Sequence, residues 1–215
     1  MRRRSALGVA AVAASASAFI RLARRRYLRW GSTGEEIRES LPGDDLIARP
    51  HLVATRAITI RTPAGTVWPW IAQLGHGRGG FYSYDFLENL VGCEIHSADR
   101  IAQEWQDITP GDEVKLAPQV GLQVAAVEPG RSLVLRGGVP MGNTPPPYEF
   151  TWAFVLREPS EGATRLVVRE RYAYTRRWAP LVVEPVEVVS FVMHQKMLRG
   201  IRERAERTAS ADSRA

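Results

Sequence analysis

The hydrophobic period changes once along this chain, and that change limits the fold more than any single motif. From 114 to 175 apolar residues recur at alternate positions in five segments, VKLAP, LQVAAVE, SLVLRGG, YEFTWAFVLRE and TRLVVRERYAYT. A period of two belongs to half-buried strands, and the PG, GR and PSEG breaks between segments are turn formers. After 180 the period lengthens, so that Val186, Val189, Met193, Met197 and Ile201 fall on one side of a helix. An antiparallel meander followed by one long amphipathic helix predicts an α+β domain in which the helix covers the apolar face of the sheet.

Upstream, 51–62 is rich in β-branched residues and stops at Pro63, which reads as a first strand. Pro63 then opens a helix with Val67, Trp70, Ile71 and Leu74 at i, i+3, i+4 and i+7, with Pro69 as an interior kink. Two shorter helical patterns follow, over 84–91 and 98–105. Turn formers, acids and prolines make 31–50 a linker by composition, the domain spans 51–207, and the small polar residues of 208–215 predict a disordered tail.

Between the first helix and the meander stands LGHGRGGFYSYDFLENL, residues 74–90, with four glycines in six residues. A phosphate cradle needs glycines between a strand and a helix, where backbone N–H groups and the helix dipole converge on the anion. Here they follow a helix, and neither a Lys-Ser/Thr ending nor a βαβ unit is present, which argues against a nucleotide site. The glycines instead predict a helix end, with Gly75 as cap, and a sharp turn. The aromatic residues after them, Phe81, Tyr82, Tyr84 and Phe86, need something apolar to face.

The order of elements, with WPWIAQLG, GRGGFYSYDFLENL, EIHSADRI and EWQDITPGDEV between first strand and meander, resembles the START-like, helix-grip proteins of the SRPBCC superfamily. The resemblance covers about residues 50–205 and is closest to bacterial polyketide cyclase-like or lipid-transport-like members. It implies an antiparallel sheet of about six strands wrapped around a long C-terminal helix, with two or three short helices after the first strand and an apolar cavity between. It also implies binding of a hydrophobic small molecule or lipid. A cyclase- or dehydratase-type enzyme and an interaction module without ligand are the alternatives, because one fold hosts many functions.

Strand periodicity then selects the residues that face the helix. Tyr148, Phe150, Trp152, Phe154 and Leu156 form one apolar face, and Leu166, Val168, Glu170, Tyr172 and Tyr174 the matching one. Glu170 is an acid on an apolar face, and a buried carboxylate must be paired or protonated. Arg56 shares a face with Ala54, Ile58 and Ile60 in the first strand, which the fold places beside the last. The expected Arg56–Glu170 ion pair either closes the sheet near its rim or supplies the polar handle of a greasy pocket. Candidate ligand-binding residues are therefore Arg56, Tyr82, Tyr84, Asp85, Tyr148, Phe150, Trp152, Phe154, Leu166, Glu170, Tyr172, Met193 and Met197.

Asp85 and Glu88, and His96 and Asp99, are spaced for one helix face, yet neither pair belongs to a metal-ligand motif. We expect no metal and no cofactor. Cys93, the single cysteine, reads as a small buried hydrophobe, Ser83 as a turn or cap residue, and His51 and His194 as structural.

Charge is unevenly placed. Residues 1–30 hold eight arginines and no acid or lysine, so the formal +6 of the chain becomes −2 over 31–215. No basic face or recognition motif remains in the domain to engage nucleic acid. The apolar segment 5–20 is shorter than the ~20 residues of a membrane span. A membrane anchor, a cleaved signal peptide and a surface helix remain open for it. Five arginines after it and three before would keep an anchored domain in the cytoplasm. The partners expected are a hydrophobic small molecule or lipid and, through 1–30, a membrane.

Overall fold

The computed structural model of the chain describes residues 22–90, 92–140 and 144–212. The apolar segment 5–20 lies outside them. Six strands form one sheet in the order β1-β6-β5-β4-β3-β2, with every neighbouring pair antiparallel. They are β1 (Leu52–Ile60), β2 (Glu113–Ala117), β3 (Val120–Glu128), β4 (Ser132–Gly137), β5 (Tyr148–Ser160) and β6 (Ala163–Tyr174). The strands of the meander keep their sequence order in space, as short turns require. β1 joins the far side of β6, with Ala54 opposite Glu170 and Arg56 opposite Val168.

Among the described residues, residues 22–28 are helical and α1 (Gly34–Arg38), α2 (Ala64–Ala72), α3 (Asp85–Leu90) and α4 (Ala179–Asp212) accompany the sheet. The long helix α4 packs against α2 and β1. Its second half is core: Met197, Leu198, Ile201 and Ala205 are buried among the strand residues Leu133, Leu135, Phe154 and Leu166. The stripe is not buried throughout, however. Val186 and Val189 are 58% and 62% exposed, because the sheet and α4 diverge there and leave open space. The helix also runs through Asp212, past Thr208, where composition predicted disorder.

The second helical pattern is realised as α3, but 98–105 yields only a 3-10 turn at Gln103–Trp105. Side chains from elsewhere take the backbone groups a helix would have used. Gln73 donates to the Arg100 carbonyl and accepts from the Ala102 N–H, and Arg204 donates to the Ala98 carbonyl. The glycine-rich segment does not simply cap a helix. Gly75 and Gly80 exchange backbone hydrogen bonds of 3.0 Å in both directions, closing a small loop. Gly80 has φ +69° and lies against the backbone of His96 and Ser97, where no Cβ would fit. Gly200, a poor helix former, has a packing reason: the Tyr82 backbone rests on it, and any side chain there would collide with the Tyr82 carbonyl.

Residues 31–50 lie across the outer face of the sheet. Thr33 and Glu36 cap α1 reciprocally, with Glu36 N–H donating to Thr33 Oγ1 at 3.2 Å and Thr33 N–H to Glu36 at 2.6 Å. Leu41 packs with Ala57, Val155 and Val167. The arginines of β6 that alternate with its inner residues hold this strap down. Arg165 pairs with Glu36, and Arg169 and Arg171 pair with Asp44. Arg169 is itself buried and donates further to the carbonyls of Glu36 and Glu39 and to Thr55.

Candidate functional site

Where α4 diverges from the sheet, a cavity of about 570 Å³ opens between β5, β6, α3 and the first half of α4. Tyr148, Phe150, Trp152 and Tyr172 supply one wall, Met193 and Met197 another, and Leu87, Leu90 and Val139 part of the remainder. Strand alternation explains the aromatic wall, since every second residue of β5 points to this side. Its rings are in contact: Phe150 and Tyr172 have centroids 4.7 Å apart, and Trp152 stands edge-on to His194 at 5.1 Å. A volume of this order suits a drug-sized ligand.

Seven of the thirteen candidates line this space: Tyr148, Phe150, Trp152, Glu170, Tyr172, Met193 and Met197. The other six lie elsewhere. Phe154 and Leu166 are on the right face but farther along their strands, where α2 and α4 close over the sheet. Tyr82 is a buried plug with φ +56°, its hydroxyl accepting from Gln73 Nε2 at 2.9 Å and its ring beneath the Arg204 guanidinium at 4.8 Å. Tyr84 is partly exposed outside the cavity. Asp85 accepts from the N–H and hydroxyl of Ser97, at 2.7 and 2.6 Å, and so fixes the loop beyond α3. Arg56 stands one layer behind the wall.

That layer is a charge cluster. Arg56 Nη1 donates to Glu170 Oε2 at 2.6 Å, Nη2 to Glu187 of α4, and Nε to the Tyr27 carbonyl at 3.1 Å. All three side chains of the triad are buried. Burial would raise the Glu170 carboxyl, but the Arg56 guanidinium and the hydrogen bonds from Arg56 and Tyr172 outweigh it and hold the group below its ordinary range. Glu187 goes the other way. Burial and the neighbouring Glu170 charge push it up to about 8 despite Arg56. One guanidinium thus ionises one of two carboxyls, and the other keeps its proton at neutral pH. Burial keeps His194 neutral, its pKa lowered against the pull of Glu170.

A raised carboxyl pKa means that the folded chain holds a proton which the unfolded chain releases near 4.5. Stability from Glu187 is therefore complete below about pH 4.5 and is lost as pH rises toward 8, with a slope of at most about 1.4 kcal/mol per pH unit. Glu187→Gln, locked neutral, should flatten that slope. Urea midpoints at pH 5, 6.5 and 8 for both proteins check it, and parallel profiles would refute the assignment.

Sequence reasoning missed Glu187 and Ser190 here and read His194 as structural, although it lines the cavity. Glu187, Ser190 and His194 are polar at i, i+3 and i+7, next to an apolar stripe, and that spacing was the available signal. His194 Nδ1 sits 3.0 Å from both the Ser190 carbonyl and hydroxyl, and Nε2 is 3.7 Å from Glu170 Oε1. Glu88, on the cavity wall, is pushed up to about 7 by burial and by Asp85. Cys93 also reaches the wall and is only partly buried, its thiol raised by burial and Glu88 and hence a weak nucleophile. Ser83 lines the cavity while donating to the Met193 carbonyl at 3.0 Å. His51 accepts from the Tyr174 N–H and stacks on its ring. Among the described residues no cluster of His, Cys, Asp and Glu is arranged to hold a metal ion, and no helix is long and apolar enough to cross a membrane.

No family model and no curated protein matches the sequence. Among solved structures, the Zhui aromatase/cyclase from Streptomyces sp. R1128 is 15% identical, covering 74% of this chain and 95% of its own, at a TM-score of 0.46. A protein from Arthrobacter aurescens is 15% identical over 71% of this chain and 87% of its own, at 0.44. Protein Ms6760 from Mycobacterium smegmatis is 16% identical over 71% and 89%, at 0.42. The fold is established by the strand order and by α4 lying across the sheet. This chain has the helix-grip arrangement that its resemblance to the START-like proteins of the SRPBCC superfamily implies.

Proposed function

We propose that the domain binds a hydrophobic small molecule or lipid in the cavity between β5, β6, α3 and α4. The observation that carries this reading is the open wall of aromatic, methionine and valine side chains, with Val186 and Val189 left uncovered beside it. Apolar surface of that kind contributes ~25 cal/mol per Å² when a ligand removes it from water, before ordering costs. N-phenyl-1-naphthylamine, an uncharged fluorescent probe, should bind the full chain, and Met193→Trp should weaken it about tenfold or more with little change in thermal midpoint. Absence of probe binding to the unaltered protein, or equal binding to Met193→Trp, would count against the cavity as the site.

The arginine-flanked segment 5–20 would keep such a binder at the membrane where apolar ligands partition. Flotation of the full chain with vesicles containing anionic phospholipid, lost on deleting 1–20, is the expected result. A deletion without effect on flotation would remove the anchor from this reading. A cyclase- or dehydratase-type reaction in the same cavity is the second reading, favoured by the approach of His194 to Glu170. In that case a ligand recovered from the native protein is converted, and Glu170→Gln stops conversion while leaving probe binding in place.

A further inference from the structure

We propose that the cavity selects an uncharged apolar molecule carrying a hydroxyl group and excludes the matching carboxylate. This rests on the cavity being the binding site and adds the charge class of its ligand. Among the described residues that line it, none is lysine or arginine, whereas Glu88 and Glu170 are both present. Arg56, the cation paired with Glu170, is no counter-ion for a ligand. It is 1% exposed, and its guanidinium is engaged by Glu170, Glu187 and the Tyr27 carbonyl. An entering carboxylate would shed its hydration, find no opposite charge and face the ionised Glu170.

A hydroxyl meets the opposite reception. Two residues of the wall, Trp152 and His194, each 7% exposed, carry a buried nitrogen without a hydrogen-bond partner, Nε1 and Nε2. The indole N–H can only donate. In the tautomer that donates its Nδ1 proton to the Ser190 carbonyl, 3.0 Å away, the neutral Nε2 can only accept. A hydroxyl is the simplest group that accepts from one and donates to the other. The two rings stand edge-on with centroids 5.1 Å apart, so the two residues share one corner of the wall. Both nitrogens are shut off from solvent, so a ligand hydroxyl reaches them only if the two side chains turn toward it, and the gain is the bond each now lacks. An ammonium head would meet Glu170 and satisfy His194, but Glu170 is already paired with Arg56, so the head would shed its hydration for a shared charge and leave the indole N–H unpaired.

The test is displacement of N-phenyl-1-naphthylamine from the full-length protein at pH 7.5 by dodecan-1-ol, dodecanoate and dodecylammonium, three probes of one chain length. The alcohol should displace the dye at a concentration about tenfold or more below that of the carboxylate, and below that of the amine. His194→Phe keeps the apolar surface and removes the acceptor, so it should shrink the margin of the alcohol over the other two. The comparison on the unaltered protein stands by itself if that variant fails to fold. Dodecanoate displacing as well as the alcohol, dodecylammonium displacing best, or bound dye that none of the three displaces would each overturn the inference while leaving the cavity reading intact. Failure of the dye itself to bind would instead sink the cavity reading.

Discussion

Arg56→Met should lower the stability of the fold by about 3–5 kcal/mol, the usual cost of removing one partner from a buried ion pair. The substitution preserves most of the volume and leaves Glu170 and Glu187 facing each other without a cation, and the Tyr27 carbonyl without its donor. Both carboxyls must then be protonated in the folded state, so the deficit should be largest at pH 8 and shrink toward pH 5 as the cost of protonation falls. Adding Glu170→Gln to Arg56→Met should recover a large part of the loss, since it removes the charge stranded by the first change. Urea unfolding of the three proteins at both pH values measures this. A deficit under about 1 kcal/mol, of the size expected for an exposed pair, would mean that water reaches the cluster.

On the opposite face, Arg169→Ala should cost a similar amount, about 3–5 kcal/mol, for a different reason. The Arg169 guanidinium bonds Asp44, Thr55 and the carbonyls of Glu36 and Glu39, so its loss strands buried backbone acceptors as well as a charge. The damage should be local at first. Limited proteolysis should cut the strap between 31 and 50 before any cut in the strands. Cleavage spread evenly through the sheet would show that the strap and sheet unfold as one unit. The cavity lies on the other side of β5 and β6, so dye binding per folded molecule should be little altered.

The strands were legible because alternation is a local property, and it fixed the faces of β5 and β6 well enough to bring Arg56 to Glu170. Alternation says nothing about which part of a face stays uncovered. Phe154 and Leu166 share their face with Trp152 and Glu170, but α2 and α4 bury the first two and leave the second pair at the cavity. Tyr82 was legible as an aromatic needing a partner, not as a plug under Gly200, because that contact joins residues more than a hundred positions apart. The strap was hidden by composition. Turn formers and acids look like a linker until the arginines of β6 are known to point at them.

The division of α4 into a core half and a cavity half grades the persistence of one continuous helix. Past Met197 its hold is apolar burial, which scales with area and fades only with global unfolding. Before His194 its contacts include the buried Ala179 and Val183, Phe191 against Tyr27, the ion pairs of Glu184 with Arg24 and Glu187 with Arg56, and the polar pair Ser190 and His194, while Val186 and Val189 already face open space. Lifting those first turns exposes little new hydrophobic area, so such openings sit far below the global free energy of unfolding. An opening of the cavity mouth is consequently expected to turn on the Glu187–Arg56 link and to answer to acidity, whereas the rest of the molecule answers to heat.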